Sequence, residues 1–145
     1  MALLCIHLLL FLLPGTDAAI FTLQNKCGEI IWPGILPGSG KPILMKGGLQ
    51  LKPGEVKNIH APKGWSGRFW GRRGCSFNHY GKGQCLTGDC GGKLNCAGAG
   101  GSPPATLAEF TLNSPIDFYD VSFVDGYNMK MSIVPYGGSG KLLFA

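Results

Sequence analysis

Apolar and polar positions alternate most cleanly over residues 118–124, where Tyr119, Val121 and Phe123 fall on one side of an extended chain and Asp120 and Ser122 on the other. That period of two predicts a strand with one buried face. Residues 106–112 carry the same β-branched and aromatic mixture and predict its neighbour. Earlier in the chain, residues 19–25 and 55–59 read as strands, 49–51 as a short one, and 30–32 as another that Pro33-Gly34 closes. Residues 67–72 alternate poorly, yet Arg68-Phe69-Trp70 suits a strand with one buried face. Residues 129–134 predict a last strand before Pro135. Gly and Pro break the sequence so often that no amphipathic helix of ten residues fits anywhere. Many short strands at short spacing predict an all-β sandwich or barrel.

Two stretches depart from this pattern. Residues 1–18 hold an almost unbroken apolar run up to Leu13, then Pro14-Gly15 and the small residues Thr16, Ala18 and Ala19. A membrane-spanning helix needs about 20 apolar residues, and this run is shorter. It reads as a signal peptide cleaved after Ala18, so the protein is expected outside the cell, with no transmembrane segment. Residues 75–101 form the second departure, rich in glycine and cysteine and poor in apolar side chains. Such a strip reads as loop that only covalent staples can order.

Loss of the leader removes Cys5 and leaves Cys27, Cys75, Cys85, Cys90 and Cys96 in an oxidising compartment. Five is odd, so at least one thiol lacks a partner within the chain. The spacing C-x9-C-x4-C-x5-C has no close C-x2-C pair and His79 is the only imidazole nearby, so disulfides are expected rather than a metal site. Four cysteines allow three connectivities, and the spacing does not choose among them.

The 145 residues carry 13 Lys and Arg against 8 Asp and Glu, a net charge of +5. Removing Asp17 with the leader raises it to 13 − 7 = +6, which favours anionic surfaces such as phospholipid headgroups or acidic polysaccharide. The charge is unevenly placed. Residues 26–93 contain nearly all the cations, whereas residues 94–129 contain none and hold Glu109, Asp117, Asp120 and Asp125. No nucleic-acid-binding pattern is present, and a secreted chain is a poor candidate for one.

Residues 81–96, with Cys85, Thr87-Gly88-Asp89-Cys90, Gly91-Gly92 and Cys96 at fixed offsets, resemble the signature of the thaumatin-like proteins of plant defence. The resemblance extends through residues 21–27, 65–72, 103–110 and 117–128. It implies a thaumatin-like β-sandwich with disulfide-rich loops, one domain over residues 19–140, incomplete at the C-terminus and followed by a divergent tail at 141–145. It implies the pairs Cys75–Cys85 and Cys90–Cys96, with Cys27 unpaired because its partner belongs to a later part of the family's sequence. No metal or cofactor is implied.

Family members carry a cleft between the strands and the loops, lined by an arginine, a glutamate and aspartates. By motif these match Arg68, Glu109, Asp120 and Asp125. The function implied is that of a pathogenesis-related, antifungal protein binding fungal cell-wall β-glucan or a membrane surface. The alternative is a weak endo-β-1,3-glucanase, for which Glu109 and Asp125 are the candidate catalytic pair. Glycoside hydrolysis needs one protonated and one ionised carboxyl, and in a carboxylate cluster one member holds its proton more tightly. Trp32, Trp65, Trp70, Tyr80, Tyr119 and Tyr127 are candidate sugar-stacking faces, although a sandwich uses most of its aromatics as core. A monomer is the expected state. A sandwich short of its closing strands is expected to expose edges, aggregate, dimerise through Cys27, or have no function at all.

Overall fold

The computed structural model describes residues 17–113 and 116–137. The apolar run of the expected leader and the expected divergent tail lie outside them. Eight strands follow in chain order: β1 Asp17–Gln24, β2 Trp32–Pro37, β3 Val56–Pro62, β4 Ser66–Arg72, β5 Ser76–Phe77, β6 Gly83–Gln84, β7 Leu107–Asn113 and β8 Ile116–Ser122. Among the described residues the only helical turn is a 3-10 turn at Met45–Gly47, and no helix is long and apolar enough to cross a membrane. The chain is all-β.

Three antiparallel sheets form: β1-β3, the four-stranded β2-β4-β7-β8, and the small β5-β6 hairpin. In the four-stranded sheet Ile35, Phe69, Ala108 and Val121 stand directly opposite one another, one from each strand. Their face meets β1-β3. Ile59 and Ala61 of β3 join Ile35, Phe69 and Ala108 in one buried cluster, and Phe21 of β1 enters it with ring centroids 4.8 Å from Phe69 and 4.7 Å from Phe110. This is the sandwich core, and its aromatic pairs add to what area burial alone supplies.

The other face of the same sheet has its own cluster. Trp70 and Leu107, opposite each other on β4 and β7, pack with Cys90, Cys96 and Ala105 from the loops. From Phe69 to Arg72 β4 is therefore buried on both faces, not on one as its sequence predicts, because that half lies between β1-β3 and the stapled loops. Two glycines make that packing possible: a Cβ on Gly34 would stand 2.3 Å from the Trp70 ring, and one on Gly101 2.4 Å from its nitrogen. The indole N–H donates to the Gly88 carbonyl at 2.8 Å, so the buried ring leaves no polar atom unpaired.

Other expectations fail for identifiable reasons. Pro33-Gly34 does not close a strand but lies inside β2. Proline is tolerated there because it offers only a carbonyl, which accepts the Leu49 N–H at 3.1 Å, and the glycine makes room for Trp70. Residues 49–51 shrink to a single bridge between Ile31 and Leu51. Residues 129–134 are not a strand, since no partner ladder flanks them among the described residues; Met131 and Ile133 instead cover the edge of the core. The strip 75–101 is not wholly loop, because β5 and β6 pair within it.

Candidate functional site

Leu36, Arg68, Glu109 and Asp120 stand opposite one another across β2, β4, β7 and β8. This row adjoins the Ile35-Phe69-Ala108-Val121 row along the strands, and successive side chains point to opposite faces. The ladder that sends rings inward thus sends the three charged side chains outward. One step further along the same face comes Ser66, Thr111 and Phe118. In the other direction comes Trp70, Leu107 and Ser122, the part roofed by the Cys90–Cys96 loop. Where the roof ends, the exposed rows form an open cleft of about 400 Å³ lined by Arg68, Glu109, Asp120, Ser66, Thr111 and Phe118.

Asp125 belongs to the turn after β8. Its carboxylate lies 4.0 Å from the Arg68 guanidinium, at the rim of the cleft rather than in its lining, and both side chains are more than a third exposed. Such a pair contributes little stability, of order 0–1 kcal/mol. Its consequence is positional, because it occupies one side of Arg68. Glu109 and Asp120 are neighbours in register, with the Cβ separation of roughly 4.5–5.5 Å typical of directly opposite positions. Of the four residues expected at the cleft, Arg68, Glu109 and Asp120 line it and Asp125 stands beside Arg68.

The roof is held by residues to which the sequence assigns no role. Arg72, fully buried at the end of β4, donates to the carbonyls of Trp32, Lys93 and Leu94 at 2.8–2.9 Å, to Pro33 O at 3.3 Å and to Cys90 Sγ at 3.3 Å. One planar fork thereby ties β2 to the loop. Burial pushes its pKa down to about 10, with Asp89 acting in the opposite direction, and it stays charged at neutral pH. Asp89 organises the loop itself, accepting from the N–H groups of Cys85, Gly91 and Gly92. Buried Asn128 fixes the segment that follows Asp125: it accepts from Thr106 N and donates to Gly71 O and Thr87 Oγ1.

Cys75 is bridged to Cys85 and Cys90 to Cys96, while Cys27 is a free, half-buried thiol. The first bridge closes the base of the β5-β6 hairpin and the second lies inside the loop-side cluster. Among the described residues no three His, Cys, Asp or Glu side chains are grouped to hold a metal. Of the candidate stacking aromatics, Trp65 and Trp70 are core, Tyr80 and Tyr127 are exposed away from the cleft lining, and the ring that borders the carboxylates is Phe118, 62% exposed. Sequence alternation places Phe118 on the Asp120 face, which was the available signal for it. The burial of Arg72 and the bonding of Asn128 have no such signal, because both depend on the loop roof.

A two-faced sheet, with an aromatic core on one side and a disulfide-stapled loop half covering the other, is the thaumatin type of β-sandwich. The chain belongs to the Thaumatin family, whose model matches residues 25–142. It is 53% identical over 136 residues to a thaumatin-like protein of Arabidopsis thaliana, covering 94% of this chain and 56% of that protein. It is 58% identical to the pathogenesis-related thaumatin-like protein 3.5 of Cryptomeria japonica, covering 85% and 51% respectively. The chain thus spans little more than half the length of these relatives. Among solved structures, the thaumatin-like xylanase inhibitor superimposes with a TM-score of 0.62 at 35% identity, over 74% of this chain and 70% of that one.

Proposed function

We propose that this protein is a secreted plant-defence protein whose cleft binds fungal cell-wall β-1,3-glucan. The reading rests on the in-register row Arg68-Glu109-Asp120 at the floor of an open cleft. Carboxylates accept hydrogen bonds from sugar hydroxyls and the guanidinium donates them. Phe118, one step along the strands, offers an exposed ring face beside them. The cleft volume lies in the range of about 300–1,000 Å³ that holds a small ligand. Relatives named as pathogenesis-related support the defence role. The apolar run ahead of Pro14 and the paired cysteines support export to an oxidising apoplast, with cleavage after Ala18 and one domain from residue 19 onward.

Co-sedimentation of the chain with insoluble β-1,3-glucan tests this. A hydrogen bond to a charged group contributes about 1.5–3 kcal/mol, so Glu109→Gln with Asp120→Asn is expected to weaken binding about tenfold or more. Binding equal to that of the parent would overturn the reading.

Hydrolysis is the second reading, favoured by one observation. Glu109 and Asp120 are cross-strand neighbours on one face, within side-chain reach of the roughly 5–5.5 Å between carboxyl groups that retaining glycosidases use. Asp120, rather than Asp125, then becomes the partner of Glu109. Release of reducing ends from linear β-1,3-glucan, lost in Glu109→Gln and in Asp120→Asn but kept in Asp125→Asn, is the expected pattern. Activity that survives both of the first two variants would end this reading and leave binding untouched.

A further inference from the structure

Lys82 and Lys93 meet in an isolated antiparallel bridge within the stapled loops, away from the cleft. Gly83 N donates to Gly92 O at 3.0 Å and Leu94 N to Gly81 O at 2.9 Å, so the bonds flank the two lysines rather than join them. That is the non-hydrogen-bonded pairing, in which opposite side chains lie closest. Like charges placed directly opposite are destabilising, yet this pair is held from both sides. Asn78 N donates to Lys82 O at 2.8 Å, and the Asn78 side-chain oxygen accepts from Lys82 N at 3.0 Å. Buried Arg72 donates to Lys93 O at 2.8 Å. Every contact that fixes the pair lies within residues 72–94. Among the described residues neither ammonium has an ion-pair partner. Asp89, the acid of this loop, spends its oxygens on the N–H groups of Cys85, Gly91 and Gly92.

We propose that this strip binds a linear acidic polysaccharide, a polyuronate, whose carboxylates bridge Lys82 and Lys93. An anion placed between the two ammoniums is attracted by both and relieves their mutual repulsion. Gln84 lies two residues along from Lys82, and Ser76 stands opposite Gln84, so both face the same way as the lysines. Phe77 turns the other way, 5.7 Å from the Arg72 guanidinium and 6.4 Å from the Trp32 ring. The outward face thus offers two ammoniums, an amide and a hydroxyl, all exposed and with no carboxylate among them. A chain of sugar acids presents carboxylates and hydroxyls in sequence, which is the complement of that row. At the turn of the hairpin Tyr80 is 76% exposed with its ring 3.8 Å from that of His79, an open platform for a sugar face. A lipid surface would also be met by apolar side chains, and between Cys75 and Cys96 Leu86 is the only aliphatic one with a large exposure. The strip shares no residue with the cleft, so the inference goes beyond the glucan reading and does not depend on it.

Calorimetric titration of the protein with polygalacturonate tests this. Binding that weakens as salt is added is expected. Lys82→Gln with Lys93→Gln should weaken it about tenfold. Lys52→Gln with Lys57→Gln removes the same charge from exposed positions elsewhere and should change it less than twofold. Lys82→Arg with Lys93→Arg should retain it. Removing two opposed cations relieves repulsion, so the urea midpoint of the first pair of substitutions should not fall, which excludes loss of fold as the cause. Co-sedimentation of that variant with insoluble β-1,3-glucan should match the parent, which keeps the two readings separable. Absence of binding to polygalacturonate at low salt overturns the proposal. So does an equal loss from both glutamine pairs, the mark of net charge alone, and so does binding confined to vesicles of phosphatidylglycerol.

Discussion

Arg72 and Cys90 meet in the interior, with a guanidinium nitrogen 3.3 Å from the disulfide sulfur. The contact belongs to a set of five donated bonds, four of them to backbone carbonyls of Trp32, Pro33, Lys93 and Leu94. A buried cation with a carbonyl at each donor acts as a rivet between β2 and the loop that roofs the sheet.

Arg72→Lys is expected to cost about 2–4 kcal/mol, because a point ammonium cannot reach carbonyls on two sides and leaves buried acceptors unpaired. Urea unfolding followed by tryptophan fluorescence reads this directly, since Trp70 packs under the same loop. A loss below 0.5 kcal/mol, the scatter of ordinary surface changes, would contradict the rivet.

The same residue gives a pH signature. Its folded pKa, about 10, lies below the ordinary arginine value, so between the two the unfolded chain holds a proton that the folded chain has released. Stability contributed by Arg72 is thus flat from pH 6 to 9 and rises with pH above 10, where the burial penalty on the charge is relieved. The stability difference between the parent and Arg72→Met is expected to be constant from pH 6 to 9 and to widen in the parent's favour by pH 11. A difference that narrows over pH 10–11 would refute the assignment.

The alternation over residues 118–122 made β8 legible, and with it the side on which Asp120 and Phe118 fall, but the strand ends at Ser122. Phe123, expected on the buried face, is 60% exposed, and Ser122 is buried because its side of the sheet is roofed by the loop there. Phe69 and Trp70 were harder to read. Two successive aromatics give no alternation, because β4 is covered on both faces and the second cover comes from loops whose sequence shows little apolar material. Residues 129–134 failed in the opposite sense: Met131 and Ile133 satisfy the strand pattern by packing on the core, without a ladder. At the site, family motifs named Arg68, Glu109, Asp120 and Asp125. Register, which no local pattern fixes, decided that Glu109 faces Asp120 and that Asp125 turns toward Arg68.

The two bridges are expected to differ in worth. Loop-closure entropy alone assigns each about 2–3 kcal/mol. Cys90–Cys96 is also fully buried against Trp70 and Leu107, whereas Cys75–Cys85 lies at the base of an exposed hairpin. Replacing Cys90 and Cys96 with alanine should therefore cost more than replacing Cys75 and Cys85, by about 1 kcal/mol for the added cavity. Parallel urea titrations of the two double variants check the order, and the reverse order would be inconsistent with this packing.

Asn128→Ala removes the acceptor for Thr106 N and the donors to Gly71 O and Thr87 Oγ1, all in the interior. The expected loss is about 2–3 kcal/mol. Because Asn128 anchors the turn that carries Asp125, the variant should also weaken any glucan binding that depends on Arg68 and Asp125. Co-sedimentation at a temperature where tryptophan fluorescence shows the variant folded separates that effect from simple unfolding.

Glu109 sits between Ala108 and Phe110 on a strand whose two sides meet unlike surroundings. Deleting one residue early in β7 would carry its carboxylate into the aromatic interior and put a ring or a methyl group at the groove, whereas deleting two would restore the arrangement. Length changes in this strand are thus tolerable only in even steps. The parity of β7, more than the identity of any one side chain, keeps acid outside and rings within.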